Sequence, residues 1–202
     1  MKKTLPIIYS FRRCPWAMRA RITLAYTKQT CELREVNLRD KPEALLKASP
    51  KGTVPVLILP SEKIIDESYD IMLWAIAQND PENWGEIIDH PLLHKPLQDL
   101  LKLIRVFKYQ ENSEHWHQAQ QACQQWLFNL NEMLKPDGFL TGNQCRLADA
   151  ALFPIIRQVS KVDNDWFANL NFTAIQAWLN YFYNAEFFKT AMQKFPVWRQ
   201  GS

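Results

Sequence analysis

From position 4 the chain runs "TLPIIY", a short stretch rich in branched apolar residues that gives way to the polar and bulky "SFRR", the pattern of a strand and the turn that ends it. Pro15 suits the first turn of a helix, where its missing N–H costs nothing, and "WAMRARITLAYTK" continues that helix. Within it Trp16, Ala17, Ala20, Ile22, Leu24 and Ala25 offer apolar surface, and Arg19 and Arg21 are expected to point elsewhere. "CELREVNL" alternates with period two and turns Cys31, Leu33 and Val36 toward a core. Strand, helix and strand in this order imply a parallel pair with a right-handed crossover. "KPEALLKA" predicts a short helix with Pro42 in its first turn, and "SPKGT" predicts a loop. "VPVLIL" and "KIIDES", joined by "PSE", read as an antiparallel hairpin. "SYDIMLWAIAQND" closes the unit as a helix stopped by Asn79, Asp80 and Pro81.

Past the polar connector "QNDPENWGEIID" the period changes to that of helices throughout. "HPLLHKPLQDLLKLIRVFKY" and "SEHWHQAQQACQQWLFNLNEML" are long and amphipathic, and "LADAALFPIIRQVSK", "TAIQAWLNYFY" and "AEFFKTAMQ" continue the series. The expected division is an α/β unit over residues 1–78, a linker over 79–88 and an all-helical domain over 89–202.

Composition narrows the function classes. The 202 residues are 47% hydrophobic, enough for a packed core, and the net charge of +3 comes from 24 basic and 21 acidic residues with no basic block. Neither nucleic acid nor a membrane surface is indicated as a partner. The start "MKKTLPIIYSF" has too short an apolar stretch for a leader and reads as the first strand, so a cytoplasmic location is expected. The cysteines at 14, 31, 123 and 145 show no close pairing and are expected to be reduced.

Cys14 stands directly before the Pro15 helix start, where free N–H groups and aligned peptide dipoles favour a thiolate. Arg12 and Arg13 add positive potential, so a lowered pKa is expected. Cys14 as a small, inert core residue is the alternative. Two positions beyond Pro15 stands Ala17, not a second cysteine, so any mixed disulfide has to be resolved by an outside thiol. Pro55 lies near the start of a predicted central strand, where a trans proline removes a ladder hydrogen bond; a cis Val54–Pro55 bond or an edge strand would accommodate it. Glu67 and Ser68 begin the closing helix, where a charged small ligand could dock, although Asp66 or Ser68 as an ordinary helix cap explains the same residues. The pair His90 and His94 has Pro91 between its members and no further ligand at metal spacing, so no metal is expected.

Three ordered stretches, "YSFRRCPWAMRARITLAY", "NLRDKPEALLKASPKGTVPVL" and "DESYDIMLWA", resemble the glutathione-binding domain of cytosolic glutathione transferases. The likeness is to the cysteine-type members, the omega class and the two-domain glutaredoxin type, and "LADAALFP" extends it into the helical half. The resemblance implies an α/β thioredoxin-like N-terminal domain followed by an all-α C-terminal domain, the glutathione transferase fold, with glutathione as co-substrate. It implies that Cys14 forms a mixed disulfide with glutathione and that Trp16 lines the site. It further implies that Lys41 approaches the glycyl end, that Val54 before Pro55 pairs its backbone with the cysteinyl part, and that Glu67 and Ser68 receive the γ-glutamyl end. A homodimer is expected on the same ground. One departure is Arg146, three residues before Asp149, where the family's pattern has a serine or threonine cap; Asp149 can still accept the cap's N–H, but the reciprocal bond is lost.

The function implied is a glutathione-dependent thiol transferase or reductase acting on mixed disulfides or glutathione adducts, with a small-molecule or protein thiol or electrophile as second substrate. One rival is a conjugating transferase in which Ser10 or Tyr9 helps to ionise bound glutathione. Another is a non-enzymatic binding or regulatory module of the same fold, a type that lacks the nucleophilic cysteine.

Overall fold

The computed structural model describes residues 4–109, 114–135 and 138–199. Two compact units emerge: one takes in the chain through Asn83 together with the stretch from Ala185 onward, and the other is Trp84–Asn184.

In the first unit the elements follow the predicted order: β1 Ile7–Ser10, α1 Pro15–Tyr26, β2 Glu32–Glu35, α2 Glu43–Ala48, β3 Val56–Ile58, β4 Ile64–Ile65 and α3 Ser68–Gln78. The sheet order is β2-β1-β3-β4, with β1 parallel to β2 and antiparallel to β3, and β3 antiparallel to β4. Period-two alternation divides the core between the two faces. Ile8 and Leu57 join Ala20 and Leu24 of α1 and Ile71 and Ala75 of α3 on one face. Tyr9 and Val56 join Ala17, Val36 and Leu45 on the other. Each fully buried aliphatic side chain contributes about 1.5–3 kcal/mol.

The expectation for the C-terminal stretch is corrected. The sequence pattern puts residues from 185 onward in the all-helical domain, yet α9, Glu186–Ala191, and the extended segment after it belong to the first unit. Phe187 meets Tyr26 edge to face at 6.2 Å between ring centroids. Val197 pairs with Glu35 as a parallel bridge, and the Trp198 N–H donates to the Glu35 carbonyl at 2.8 Å, so this segment covers the outer edge of β2. The Trp198 ring stands edge-on to Tyr9 at 5.9 Å and carries the Arg34 guanidinium 4.4 Å over its face.

A second correction concerns α1, whose arginines do not point away. Arg21 is 4% exposed, donates through Nη2 to the Gln193 carbonyl at 3.1 Å and lies 3.8 Å from Glu35 Oε2. Its charge partners arrive from sequence-distant segments, so one helix's periodicity carries no sign of them.

The second unit begins with two short 3-10 turns, Trp84–Glu86 and Pro91–Leu93, followed by α4 Lys95–Tyr109, α5 Glu114–Leu134, α6 Leu147–Val159, α7 Asn164–Asn169 and α8 Thr173–Asn184. The central helix is α6, buried on almost every side, with Phe153 stacked on Phe182 at 4.3 Å. Its entry is held by Asp149, wholly buried, whose Oδ2 accepts the Arg146 N–H at 3.1 Å and whose Oδ1 accepts from Leu140 N at 3.0 Å and Trp178 Nε1 at 2.8 Å. Burial pushes the Asp149 pKa up against those three donors. The Arg146 side chain turns away from the helix to pair with Glu86. Among the described residues no helix is long and apolar enough to cross a membrane.

Candidate functional site

β1 ends at Ser10, and a tight turn closed by the Cys14 N–H to the Phe11 carbonyl at 2.9 Å delivers Cys14 to the N-cap of α1. Its side chain makes no cap bond, which leaves the first N–H groups of α1 free to act on the sulfur. Across from it the Val54–Pro55 peptide bond is cis, the first of the two alternatives that the sequence leaves open, and Cys14 Sγ lies 3.7 Å from the Val54 carbonyl oxygen. Beside this contact a pocket of about 370 Å³ is lined by Trp16, Arg19, Lys51, Thr53, Val54, Pro55, Asp66, Glu67 and Ser68. Thus Trp16, Val54, Pro55, Glu67 and Ser68, spread over more than fifty positions of sequence, come together with Cys14 at the margin.

The charges in the pocket are arranged in two groups. At one side the Arg19 guanidinium donates through Nε to Ser68 Oγ at 2.9 Å, while lying 4.6 Å over the Trp16 ring and 5.5 Å from that of Tyr69. Burial pulls the Arg19 pKa down to about 10, so the group remains charged at neutral pH. At the other side the Lys51 ammonium bridges Glu67 Oε1 at 2.7 Å and Asp66 Oδ2 at 3.1 Å, and Ser49 Oγ donates to the same Asp66 oxygen at 3.0 Å. These bonds hold Asp66 below the usual carboxylate range and raise Lys51. Glu67 is the N-cap of α3 with no side-chain cap bond, so neither it nor Ser68 serves as an ordinary cap.

Three expectations change here. Burial outweighs every stabilising contact at Cys14, so its pKa is raised, not lowered; the Ala17 and Trp16 N–H groups and the Arg19 charge oppose that rise. The positive charge acting on the sulfur is therefore Arg19, inside α1, in place of the expected Arg12 and Arg13. Lys41 does not line the pocket: its Nζ lies 3.4 Å from where a Cβ on Gly52 would stand. The lysine that lines it is Lys51, one residue before a glycine with φ of +59°, a loop position whose direction no periodicity announces.

Tyr9 and Ser10 are fully buried and are not among the pocket's lining residues. The Tyr9 hydroxyl accepts from Arg34 Nη1 at 2.8 Å. Cys145 is 5% exposed. Burial pushes the Cys31 pKa to about 11 and that of Cys123 to about 12. In the helical unit Trp116 and Trp166 both pack on Phe107, at 5.5 and 4.9 Å, whereas Tyr109 is exposed. No group of three or more His, Cys, Asp or Glu side chains among the described residues is arranged to hold a metal ion.

A parallel β-α-β start, an antiparallel hairpin, a closing helix and a cis proline facing the first helix's N-terminus make the first unit a thioredoxin-like domain, here accompanied by a helical unit. Residues 8–84 match the family described as glutathione S-transferase, N-terminal domain, and along most of its length the chain is similar to glutathione S-transferases. It is 26% identical over 146 residues to the probable glutathione S-transferase DHAR2, chloroplastic, of Oryza sativa subsp. japonica, a match over 70% of this chain and 50% of that protein. It is 22% identical over 197 residues to glutathione S-transferase omega-1 of Rattus norvegicus, across 94% of this chain and 77% of the relative. The chain spans about half the length of the plant relatives it matches. In fold it is similar to a glutathione transferase family member from Pseudomonas fluorescens pf-5 solved with two glutathione bound, at a TM-score of 0.74 and 16% identity over 95% of this chain and 94% of that one.

Proposed function

We propose that the protein is a glutathione-dependent thiol transferase or reductase with Cys14 as its nucleophile. The observation that carries this reading is the 3.7 Å approach of Cys14 Sγ to the Val54 carbonyl at the margin of the pocket lined by Trp16, Val54, Pro55, Glu67 and Ser68. Glutathione carries two carboxylates and one ammonium, and the pocket offers a matching set. Arg19, Ser68 and the uncapped N-terminus of α3 suit the γ-glutamyl carboxylate, and Glu67 suits its ammonium. The Val54 backbone suits the cysteinyl amide, which leaves the ligand's sulfur toward Cys14. Lys41, outside the pocket, is left as a contact for the glycyl end.

The Cys14 thiolate attacks the glutathionyl sulfur of a mixed disulfide. The bond between that sulfur and the partner's sulfur breaks, the partner leaves as a thiolate that takes up a proton, and Cys14 is left joined to glutathione. A second glutathione thiolate attacks this adduct, so oxidised glutathione departs and the Cys14 thiolate returns. One reduced glutathione is consumed per cycle, the other half of the departing oxidised glutathione coming from the mixed disulfide itself, and Ala17 in place of a second cysteine leaves no internal route. Since burial raises the free thiol's pKa, the reaction depends on contacts that favour the anion, namely the Trp16 and Ala17 N–H groups and Arg19.

The same reading places the protein in the cytoplasm as a homodimer; light scattering of the purified chain reports the oligomeric state. The deciding experiment is intact-mass analysis after incubation with oxidised glutathione, followed by peptide mapping. One glutathione adduct on Cys14 is expected, and none, or one on Cys145, overturns the reading.

A further inference from the structure

The ammonium position of the pocket is already filled by the protein itself. Lys51 Nζ stands 2.7 Å from Glu67 Oε1 and 3.1 Å from Asp66 Oδ2, and the three side chains share the lining of the same pocket. Asp66 is tied down by Ser49 Oγ at 3.0 Å, whereas Lys51 and Glu67 reach out into solvent with side chains 51% and 63% exposed. One carboxylate is therefore anchored, and the lysine and the other carboxylate are free to re-pair. A ligand whose amino terminus carries an ammonium next to a carboxylate can lay the carboxylate on Arg19 and Ser68, but its ammonium then meets Lys51 on Glu67. Two cations within a few ångströms repel, so both cannot keep that carboxylate.

We propose that Lys51 is a built-in occupant of the ammonium position: the incoming ammonium takes over Glu67, and Lys51 withdraws onto Asp66. This rests on the glutathione reading and adds to it a residue that sets specificity. The exchange replaces one ion pair with another, so the ligand's ammonium gains less than it would at an empty acidic pair. The pocket thereby discriminates weakly between γ-glutamyl ligands and analogues that lack the amino group.

The test measures, by titration calorimetry on the full chain, the affinities of S-methylglutathione and of its analogue without the γ-glutamyl amino group. Three proteins are compared: the unaltered chain, Lys51→Met and Lys51→Arg. The preference for the amino-bearing ligand is expected to rise about five-fold in Lys51→Met, the scale of one exposed ion pair, and to stay unchanged in Lys51→Arg, which keeps a cation there. If the unaltered chain binds both ligands and the preference in Lys51→Met does not rise, the occupant role is overturned while the glutathione reading stands. If neither ligand binds any of the three proteins, the glutathione reading falls and this inference with it.

Discussion

Two helix starts of the helical unit and two of the first unit are built in opposite ways. In the helical unit, α6 is closed by Asp149 accepting the Arg146 N–H, and α7 is closed by Asp163 accepting the Trp166 N–H at 2.9 Å. In the first unit, α1 and α3 begin at Cys14 and Glu67 with no side-chain cap bond. A capped end satisfies its N–H groups internally and stabilises the fold, whereas an uncapped end leaves donors for a negative charge from elsewhere. These two open ends border the pocket that Cys14 adjoins. At these four starts the closed ends serve the fold, and the open ones face the pocket.

The sharpest way to break this contrast is Cys14→Ala. Reduction of a glutathione mixed disulfide should fall by at least about a thousandfold, equivalent to about 4 kcal/mol of activation free energy, with the thermal transition little changed. Assay and calorimetry on one preparation check both halves. Asp149→Ala should do the reverse: three donors, two of them buried, lose their acceptor, costing about 3 kcal/mol in denaturant unfolding, while Cys14 still takes up glutathione well below the transition.

A third substitution sharpens the comparison at the open end. Arg19→Gln removes the charge that favours the Cys14 thiolate, so its pKa, already raised by burial, should rise further. Because the thiolate is the reactive form, the rate of iodoacetamide capture at Cys14 should climb with pH into the alkaline range in the unaltered protein. In Arg19→Gln the whole profile should move to higher pH, with slower capture at neutral pH. A profile that stays in place would show that Arg19 supports Ser68 alone. The smallest effect belongs to Asp163→Ala, which should cost about 1 kcal/mol of stability as a lost N-cap and leave capture of glutathione untouched.

Much of the first unit could be read along the chain because each strand and helix announces itself locally. The strand within "TLPIIY" and the helix opened by Pro15 stand where they were expected, and the cis Val54–Pro55 bond is one of the two ways the sequence left open for Pro55. What escaped the reading depends on distant partners. Arg21 looked like a solvent-facing charge, yet Gln193 and Glu35 give it a buried place. Arg19 looked equally remote from the site, and only the arrival of Ser68 and Tyr69 on α3 turns it into part of the pocket. Lys51 carries no signal along the chain because a loop's side-chain directions follow from its turn and not from any repeat. The burial of Cys14, which reverses the expected direction of its pKa, is a property of the assembled unit.

The return of the chain from Ala185 onward has a further consequence for how the protein is made. The first unit starts first on the ribosome, but the outer edge of β2 waits for Val197 and Trp198, which emerge only after the whole of Trp84–Asn184 has been synthesised. An uncovered strand edge is a template for pairing with other chains. During that interval the β2 edge is the vulnerable surface of the nascent protein. A chain interrupted before Val197 should therefore aggregate through its thioredoxin-like half even when its helical half has folded.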